Sequence, residues 1–380
     1  MSAEIVVVGG GVVGLSMALA IQKLGVKVIL LERQKATSLA QPEDDGREIA
    51  LTRSTQQLLC DLGIWRQIRA RYFSPVRQLE VRVAPASISL PVPMLVDPIV
   101  GLVSHHELRR AAYGAVCNVD SSVQICDAQT PARVDVSNAC VEIAMENGSS
   151  VRCKLAIGAD GRQSSFARMA GFILARKNFE DSIMLCRVSH PLPHEERSIQ
   201  WFKPRLIVAN LPLKRASDRE PWSSSMAIYG RTPAIDALDS LPDSKLSEQL
   251  SKMTNFHFGS MQVEGHRCQF PLSTSVARRF SSTRCALIGD AALGLHPATG
   301  QGFNFGMAGV ARLAREIARN LDEYGDVGHH SGLARYDRSR RLLSAGFLRG
   351  SNQLIKTMQE IAASSACFTT RFSGVIPGIT

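Results

Sequence analysis

The chain has 380 residues, of which 45% are hydrophobic and 21% charged; this ordinary soluble-protein usage excludes collagen-like, disordered and coiled-coil classes and predicts two or three domains. Its nine cysteines include no CxxC pair, which argues against both a disulfide framework and a metal site. The formal charge is +10, but only 6% of residues are aromatic and no basic stripe is interleaved with them, so we expect no nucleic-acid partner.

The sequence opens with a pattern that is typical of a βαβ unit. An apolar run at Glu4–Val8 leads into the glycine-rich stretch 9–14 (GGGVVG), a helical stretch at Leu15–Leu24 and a second apolar run at Val26–Leu31. This order of strand, GxGxxG turn, helix and strand is the fingerprint of dinucleotide binding.

Each glycine of the fingerprint has a physical reason. Gly9 permits the tight turn, Gly11 lets the backbone approach a pyrophosphate, and Gly14 allows the helix to pack closely on the strand. Glu32 follows at the end of the second apolar run, where a carboxylate can hold a ribose hydroxyl. An acidic residue at this place favours FAD or NAD over NADP as the tightly bound ligand and leaves open which of the two it is.

The middle of the chain predicts antiparallel strands. Leu79–Val83 and Ser87–Leu90 alternate like a hairpin. The same alternation recurs at Cys186–His190, Ile199–Phe202, Leu206–Leu211 and Ser225–Tyr229. We expect these strands to form a substrate sheet inserted into the nucleotide-binding domain. Trp201 lies within this sheet, and two interpretations are open: it is a core residue, or it lines the substrate pocket.

Two further apolar runs end in aspartates. Leu155–Gly158 is followed by Asp160 and Gly161, and Cys285–Ile288 is followed by Asp290. Ligands of doubly wound sheets bind at the carboxyl ends of such strands. The second run continues through a glycine-rich loop, which contains His296 and Pro297, into a helix predicted at Phe305–Ile317. Free N–H groups at that helix start could stabilise negative charge on a reduced flavin.

The C-terminal part carries half of the positive charge. Residues 331–380 contain seven basic and two acidic side chains, after a linker expected at Asp322–Gly332. Apolar residues approximate a helical stripe there, at Leu342, Leu343, Phe347, Leu354, Met358 and Ile361. A helix pair packed on the nucleotide-binding domain and a contact with an anionic membrane both fit. No apolar run is long enough to cross a bilayer, so we expect a cytoplasmic protein, with peripheral attachment to the inner membrane left open.

Taken together, the motifs resemble a known family. GGGVVG with Glu32, DGREIALTRSTQQLLCDLGIW at 45–65, AIGADG at 156–161 and GDAALGLHPATGQGFNFG at 289–306 are similar to the class A FAD-dependent aromatic monooxygenases. Among these, the resemblance is strongest to the ubiquinone-biosynthesis (polyprenylphenol) hydroxylases. It implies an α/β fold, with a Rossmann-type FAD-binding domain like that of 4-hydroxybenzoate hydroxylase, an inserted antiparallel-sheet substrate domain and C-terminal helices. We place the FAD-binding domain at 1–70, 98–178 and 275–325, the substrate domain at 71–97 and 179–274, and the helical segment at 326–380.

The resemblance also implies site residues. Pro297 is expected beside the substrate and the flavin, and His296 is a candidate for proton transfer that could equally satisfy only backbone groups. The residues expected to contact FAD are Gly9, Gly11, Val13, Gly14, Glu32, Arg33, Arg47, His105, Asp160, Gly161, Asp290, Gly300, Gly302, Phe303 and Asn304.

The implied reaction is the hydroxylation of a prenylated phenol or quinol. In this family NAD(P)H reduces FAD, O₂ forms a flavin hydroperoxide, and one oxygen is transferred to the aromatic ring. Two departures, Gln200-Trp201 for Glu-Arg and Leu206-Ile207 for Gly-Pro, leave other functions open. These are hydroxylation of a soluble small aromatic and a non-hydroxylating role as an FAD protein of a biosynthetic complex. Self-association is also left open.

Overall fold

A six-stranded sheet forms the centre of the first domain in the computed structural model, which describes residues 1–83, 86–91, 97–118, 122–215, 217, 219–296 and 300–348. Its four inner strands are buried runs made mostly of valine, isoleucine, leucine and alanine, as expected for a parallel sheet covered on both faces. Neighbouring strands run parallel, except that Ser281–Ser282 and Cys285–Leu287 run antiparallel. In spatial order the strands are Ser281–Ser282, Cys285–Leu287, Leu155–Gly158, Ile5–Val8, Val28–Leu31 and Val123–Cys126.

The helix after the glycine turn lies centrally. Val12–Gln22 packs between His105–Cys117 and Gly302–Tyr324. It begins three residues before the predicted Leu15, because Gly11 already serves as its N-cap and accepts a hydrogen bond from the N–H of Leu15. Before the C-terminal helix, the other helices of the described residues are Ala36–Ala40, Arg53–Asp61, Ser165–Met169, Thr232–Asp239 and Asp243–Met253, with short 3₁₀ turns at Trp65–Gln67, Ala70–Tyr72 and Gly289–Ala291.

Two small antiparallel sheets flank the parallel sheet. One consists of Pro131–Val136, Val141–Met145 and Ser150–Cys153. The other consists of Glu48–Thr52, Ile99–Ser104 and Phe73–Pro75, and it connects the two halves of the molecule.

A large eight-stranded sheet forms the second half, as the alternation predicts. Only Arg197–Lys203 and Gln78–Val83 run parallel; every other pair of neighbours is antiparallel. The strands Leu174–His190 and Gln262–Ala277 continue without a break across the domain boundaries expected at 178/179 and 274/275. The exact positions of the boundaries therefore stay a prediction. In spatial order the strands are Leu293–Gly294, Gln262–Ala277, Leu174–His190, Trp222–Arg231, Leu206–Leu213, Arg197–Lys203, Gln78–Val83 and Ala86–Pro91.

The C-terminal region packs on the first domain. Gly302–Tyr324 runs past the predicted end at Ile317 and stops at Gly325, whose φ of +63° suits the left-handed cap that glycine favours. Residues 330–348 are helical, so the connection is shorter than the linker expected from the sequence. Tyr336 in this helix is 1% exposed and donates a hydrogen bond to the carbonyl of Leu287 at 2.7 Å. The second helix of the expected pair lies outside the described residues, among which no helix is long and apolar enough to cross a membrane.

Candidate active site

The glycine turn leaves open space in front of one residue only. Gly9 has a φ of +110°, and a Cβ there would lie 2.6 Å from the carbonyl of Ala159. A Cβ on Gly14 would lie 1.9 Å from the carbonyl oxygen of Gly9. A Cβ on Gly11, in contrast, would meet nothing within 4 Å. The chain is therefore closed around Gly9 and Gly14 and open at Gly11, where a ligand's phosphates would approach.

The Glu32 side chain is hydrogen-bonded to the backbone of this turn. Its carboxylate accepts hydrogen bonds from the N–H groups of Gly10 at 2.5 Å and Gln34 at 2.8 Å, and the residue is 9% exposed. Arg33, next in sequence, is exposed. The carboxylate thus fixes the turn relative to the second strand, and its contact with a ribose stays a prediction.

One cavity of about 750 Å³ brings most of the expected FAD residues together. It lies between the glycine turn, the carboxyl ends of the parallel strands and one face of the large sheet. Among its lining residues are Gly11, Val13, Arg47, His105, Gly161, Asp290, Gly300, Gly302 and Phe303. Its size and its mixture of glycine backbone and charged side chains fit a dinucleotide together with a small ring. The individual contacts with FAD stay predictions.

Asp290 is held by an arginine that the sequence reading did not single out. The Arg162 guanidinium lies 3.1 Å from the Asp290 carboxylate and also donates to the carbonyls of Ser273 at 2.8 Å and Leu295 at 3.2 Å. Arg162 therefore joins the parallel sheet, the large sheet and the loop before Pro297. Its position directly after Asp160-Gly161 was a signal in the sequence for a side chain at this edge.

Two expected FAD residues are engaged within the protein. The Asp160 carboxylate accepts hydrogen bonds from the Ser164 hydroxyl at 2.5 Å and the Phe166 N–H at 3.0 Å, so it caps a short helix. Asn304 accepts from the N–H of Thr52 at 3.1 Å and donates to the carbonyl of Ala50 at 2.8 Å. It thereby fixes the start of Gly302–Tyr324 against the strand whose Ile49 and Ala50 line the cavity.

Arg47 belongs to a charged group at the cavity wall. Asp45 lies 2.5 Å from the Arg47 guanidinium and 2.8 Å from Nδ1 of His105. Burial opposes ionisation of Asp45, but the hydrogen bonds from His105 and Arg47 hold its pKa well below the usual range. Burial lowers the pKa of His105, and the adjacent Arg47 adds to this, so the imidazole is neutral near pH 7. Arg47 and Asp45 together carry no net charge, and Arg162 and Arg176 are the other arginines that line the cavity.

Glu48 is a second residue that the sequence reading missed. Its side chain is 2% exposed and accepts hydrogen bonds from the Ser104 hydroxyl at 2.9 and 3.0 Å. Arg187 from the large sheet lies 3.4 Å from Glu48 and 3.0 Å from Asp44. Burial raises the pKa of Glu48 to about 7, even though Arg187 opposes the shift. The only signal in the sequence was a carboxylate at the start of a mostly apolar strand.

Apolar side chains line part of the cavity on the side of the large sheet. Those from the sheet itself include Leu79, Ile183, Leu185, Ala209, Leu211, Ala227, Tyr229 and Leu272, and Val76, Ile99 and Leu102 pack next to Leu79 and Leu211. The same sheet also contributes polar lining residues, among them Arg176, Asn178, Ser198 and Thr274. Gln200 also faces the cavity, whereas Trp201 is not among the lining residues. Trp201 is 4% exposed and packs with Met184 and Phe258 in the core beneath helices Thr232–Asp239 and Asp243–Met253. Of the two interpretations of Trp201, the one as a core residue is therefore correct.

His296 lies among aromatic rings at the end of the described loop. Its ring centroid is 5.5 Å from that of Phe179, edge to face, and 6.2 Å from that of Tyr229. Burial lowers its pKa, so the imidazole is neutral near pH 7, and its role in proton transfer stays a prediction. Pro297 lies outside the described residues.

Known proteins with a similar sequence are hydroxylases. The chain is 30% identical over 94% of its length to ubiquinone hydroxylase UbiM of Neisseria meningitidis, of which it covers 77%. It is 28% identical to ubiquinone hydroxylase UbiL of Rhodospirillum rubrum, over 89% of the chain and 78% of that protein. It is 27% identical to 3-demethoxyubiquinol 3-hydroxylase of Escherichia coli, over 89% of the chain and 85% of that protein.

Solved structures share the fold, and a family model indicates the cofactor. PqsL, a probable FAD-dependent monooxygenase of Pseudomonas aeruginosa, superposes with a TM-score of 0.76 over 96% of this chain and 99% of its own, at 15% identity. The oxygenase of 2-methyl-3-hydroxypyridine-5-carboxylic acid gives 0.73 over 96% of both chains, at 17% identity. The model of the FAD binding domain family matches residues 2–351. The chain therefore belongs to this FAD-binding family and is an FAD-dependent monooxygenase, which confirms the resemblance seen in its motifs.

Proposed function

We propose that this enzyme hydroxylates the aromatic ring of a prenylated phenol or quinol in ubiquinone biosynthesis. The observation that carries the proposal is the single cavity that joins the glycine turn to an apolar wall. A prenylated ring needs apolar surface beside the flavin, and leucine, isoleucine and valine side chains supply it here. The names of the relatives in Neisseria and Rhodospirillum support the same substrate class.

In this proposal the chain's own residues bind, orient and exclude water. The open turn at Gly11 and the Arg47 guanidinium would hold the diphosphate, and the backbone at Gly300 and Gly302 would lie against the flavin; all four residues line the cavity. Bound FAD supplies the oxidising chemistry together with O₂, once it has been reduced. Leu211 and Ala227 of the large sheet cover the substrate ring and keep water away from it.

NAD(P)H is the reductant in this proposal. A second glycine fingerprint is not visible in the sequence, so the nicotinamide nucleotide would visit the open cleft and leave again. The prenyl chain of the substrate partitions into lipid, and the proposed site of action is therefore the membrane surface. The enzyme would be attached there peripherally.

The test is flavin reduction in the absence of oxygen. NADH and NADPH are each mixed with the holoenzyme, with and without phenols that range from soluble acids to prenylated phenols; oxygen is then admitted and the products are analysed. Ring hydroxylation of prenylated phenols only is the expected result. Turnover of soluble phenols only would overturn the substrate class, and the absence of reduction by either nucleotide would overturn NAD(P)H as the donor.

A further inference from the structure

A second cavity of about 700 Å³ lies apart from the first and shares no lining residue with it. It is formed by the turn at 281–284, by residues 326–330 and by the first turns of the helix at 330–348. Four arginines line it, Arg279, Arg284, Arg338 and Arg341. We call it the arginine cavity.

Two of these arginines are neutralised within the protein. The Arg284 guanidinium makes two contacts with the Asp326 carboxylate, at 2.8 and 3.0 Å, and its side chain is only 14% exposed. Arg341 lies 3.1 Å from Asp337. These two aspartates are the carboxylates that line the cavity. Their arginines therefore build the walls and contribute little net charge.

Arg279 and Arg338 are the remaining cations. Both are exposed, and neither has a carboxylate partner within ion-pair distance in the described part of the chain. Four arginines against two aspartates leave a formal charge of +2 on the lining. Two guanidinium groups that face one cavity are suited to bind the oxygens of a phosphate, since each can donate two parallel hydrogen bonds.

Two histidines complete the lining of the arginine cavity. His329 and His330 also line the cavity. The His329 ring is stacked on Tyr324 at a centroid distance of 3.7 Å, which fixes its orientation. Its Nδ1 atom is buried and has no hydrogen-bond partner among the described residues.

The surroundings of the cavity favour a lipid over a free anion. Leu342 lies one helical turn after Arg338 on the same face of the helix and is 71% exposed. An exposed leucine one helical turn from an unpaired arginine is the arrangement with which a peripheral protein contacts both acyl chains and anionic headgroups. Free phosphate would gain nothing from the leucine.

We propose that the arginine cavity binds the phosphate of an anionic phospholipid and so attaches the enzyme to the membrane. This inference rests on the proposed function, because a membrane-borne substrate gives the attachment its purpose. Arg279 and Arg338 supply the cations, and Leu342 enters the outer part of the bilayer.

The test is co-sedimentation of the full-length holoenzyme with vesicles of phosphatidylcholine, with or without phosphatidylglycerol. Binding is expected only with phosphatidylglycerol. The double variant Arg279→Gln/Arg338→Gln should lose about tenfold or more in vesicle affinity, since each basic residue near an anionic surface contributes substantially. The control Arg219→Gln/Lys245→Gln removes the same charge from exposed positions in the other half of the molecule and should bind as the wild type does.

Further arms separate the possible outcomes. Leu342→Ser should weaken vesicle binding without changing thermal stabilisation by inorganic phosphate. If inorganic phosphate stabilises the wild type but vesicles do not bind it, the lipid source is overturned. If the double variant and its control lost vesicle affinity equally, the binding would depend only on the total charge of the protein. That result would also overturn the proposed site. Hydroxylation of substrate dispersed in detergent should be the same in all variants, so a failure of the proposed function would be visible independently of membrane binding.

Discussion

The Glu48 carboxylate lies 3.4 Å from the Arg187 guanidinium, and this pair joins the strand after Arg47 to the large sheet. Arg187 also contacts Asp44 at 3.0 Å. Asp44 in turn lies 3.2 Å from Nδ1 of His106, and the interaction with His106 is the largest cause that lowers the pKa of Asp44 to about 2. Within this group Asp44 is the ionised partner of Arg187, while burial keeps a proton on Glu48 up to about pH 7. One wall of the active site therefore contains a carboxyl group that titrates in the physiological range.

We predict that Glu48→Gln changes the pH dependence of stability. Folding raises the pKa of Glu48 from 4.5 to about 7, so its contribution to stability is fully present below pH 4.5 and is lost as the pH rises through 7. The shift corresponds to about 3 kcal/mol at most. A neutral glutamine does not ionise, so the variant should gain stability relative to the wild type between pH 5 and pH 8. Urea unfolding of the holoenzyme across this range measures the difference.

Glu264→Gln is the matched control. Glu264 lies exposed on the large sheet, and its replacement should leave the pH slope of the wild type in place. A Glu48→Gln variant with an unchanged slope would show that the buried carboxyl is already ionised at pH 5.

We also predict that alanine substitutions at two glycines of the same turn have different effects, one on FAD affinity and the other on the stability of the fold. Gly11→Ala places a Cβ in open space, so the protein should fold with unchanged apo stability and lose affinity for FAD. Gly14→Ala places a Cβ 1.9 Å from the Gly9 carbonyl oxygen, so the helix must move away from the turn and the fold itself should be destabilised. Flavin absorbance after desalting measures the first effect, and denaturant unfolding of the apo-protein measures the second. Normal FAD content in Gly11→Ala would place the diphosphate elsewhere.

The local elements were predictable because their patterns are local. The strand, turn and helix around Gly9 follow from glycine spacing and apolar runs, and the alternation at 199–229 correctly predicted antiparallel strands. Helix ends were less accurate. The end at Tyr324 depends on the left-handed cap at Gly325, which an apolar stripe does not reveal.

The missed residues act through contacts that are distant in sequence. Arg162 meets Asp290 across 128 positions, and Glu48 meets Arg187 across 139. Neither pair has a periodicity or a motif of its own, because the pairing depends on how the two sheets are placed relative to each other. The same limitation applies to Asn304, whose motif indicates the cofactor while its hydrogen bonds run to the strand at 48–52.

Asn304→Ala should therefore lower the stability of the apo-protein as well as FAD binding. The side chain is 6% exposed, and its loss leaves the Thr52 N–H and the Ala50 carbonyl without this partner. Buried groups left unsatisfied in this way cost about 1–3 kcal/mol each. Denaturant unfolding without FAD is the measurement, and Asn147→Ala in an exposed turn is the control. An apo-protein as stable as the wild type would mean that Asn304 acts on the flavin alone.

We predict that substitution of Gln200 changes substrate preference, whereas substitution of its neighbour Trp201 lowers the stability of the fold. Successive residues of a strand point to opposite faces of a sheet, and here Gln200 lines the cavity whereas Trp201 lies in the core behind it. Gln200→Leu should shift the relative kcat/KM among phenols with different ring substituents and should cost less stability than Trp201→Ala. Trp201→Ala should cost about 3–5 kcal/mol of stability through the cavity that it leaves, with substrate preference retained in the folded fraction. Steady-state kinetics on a phenol series and urea unfolding of both variants provide the comparison. A changed substrate preference in Trp201→Ala at normal stability would reverse the assignment of the two faces.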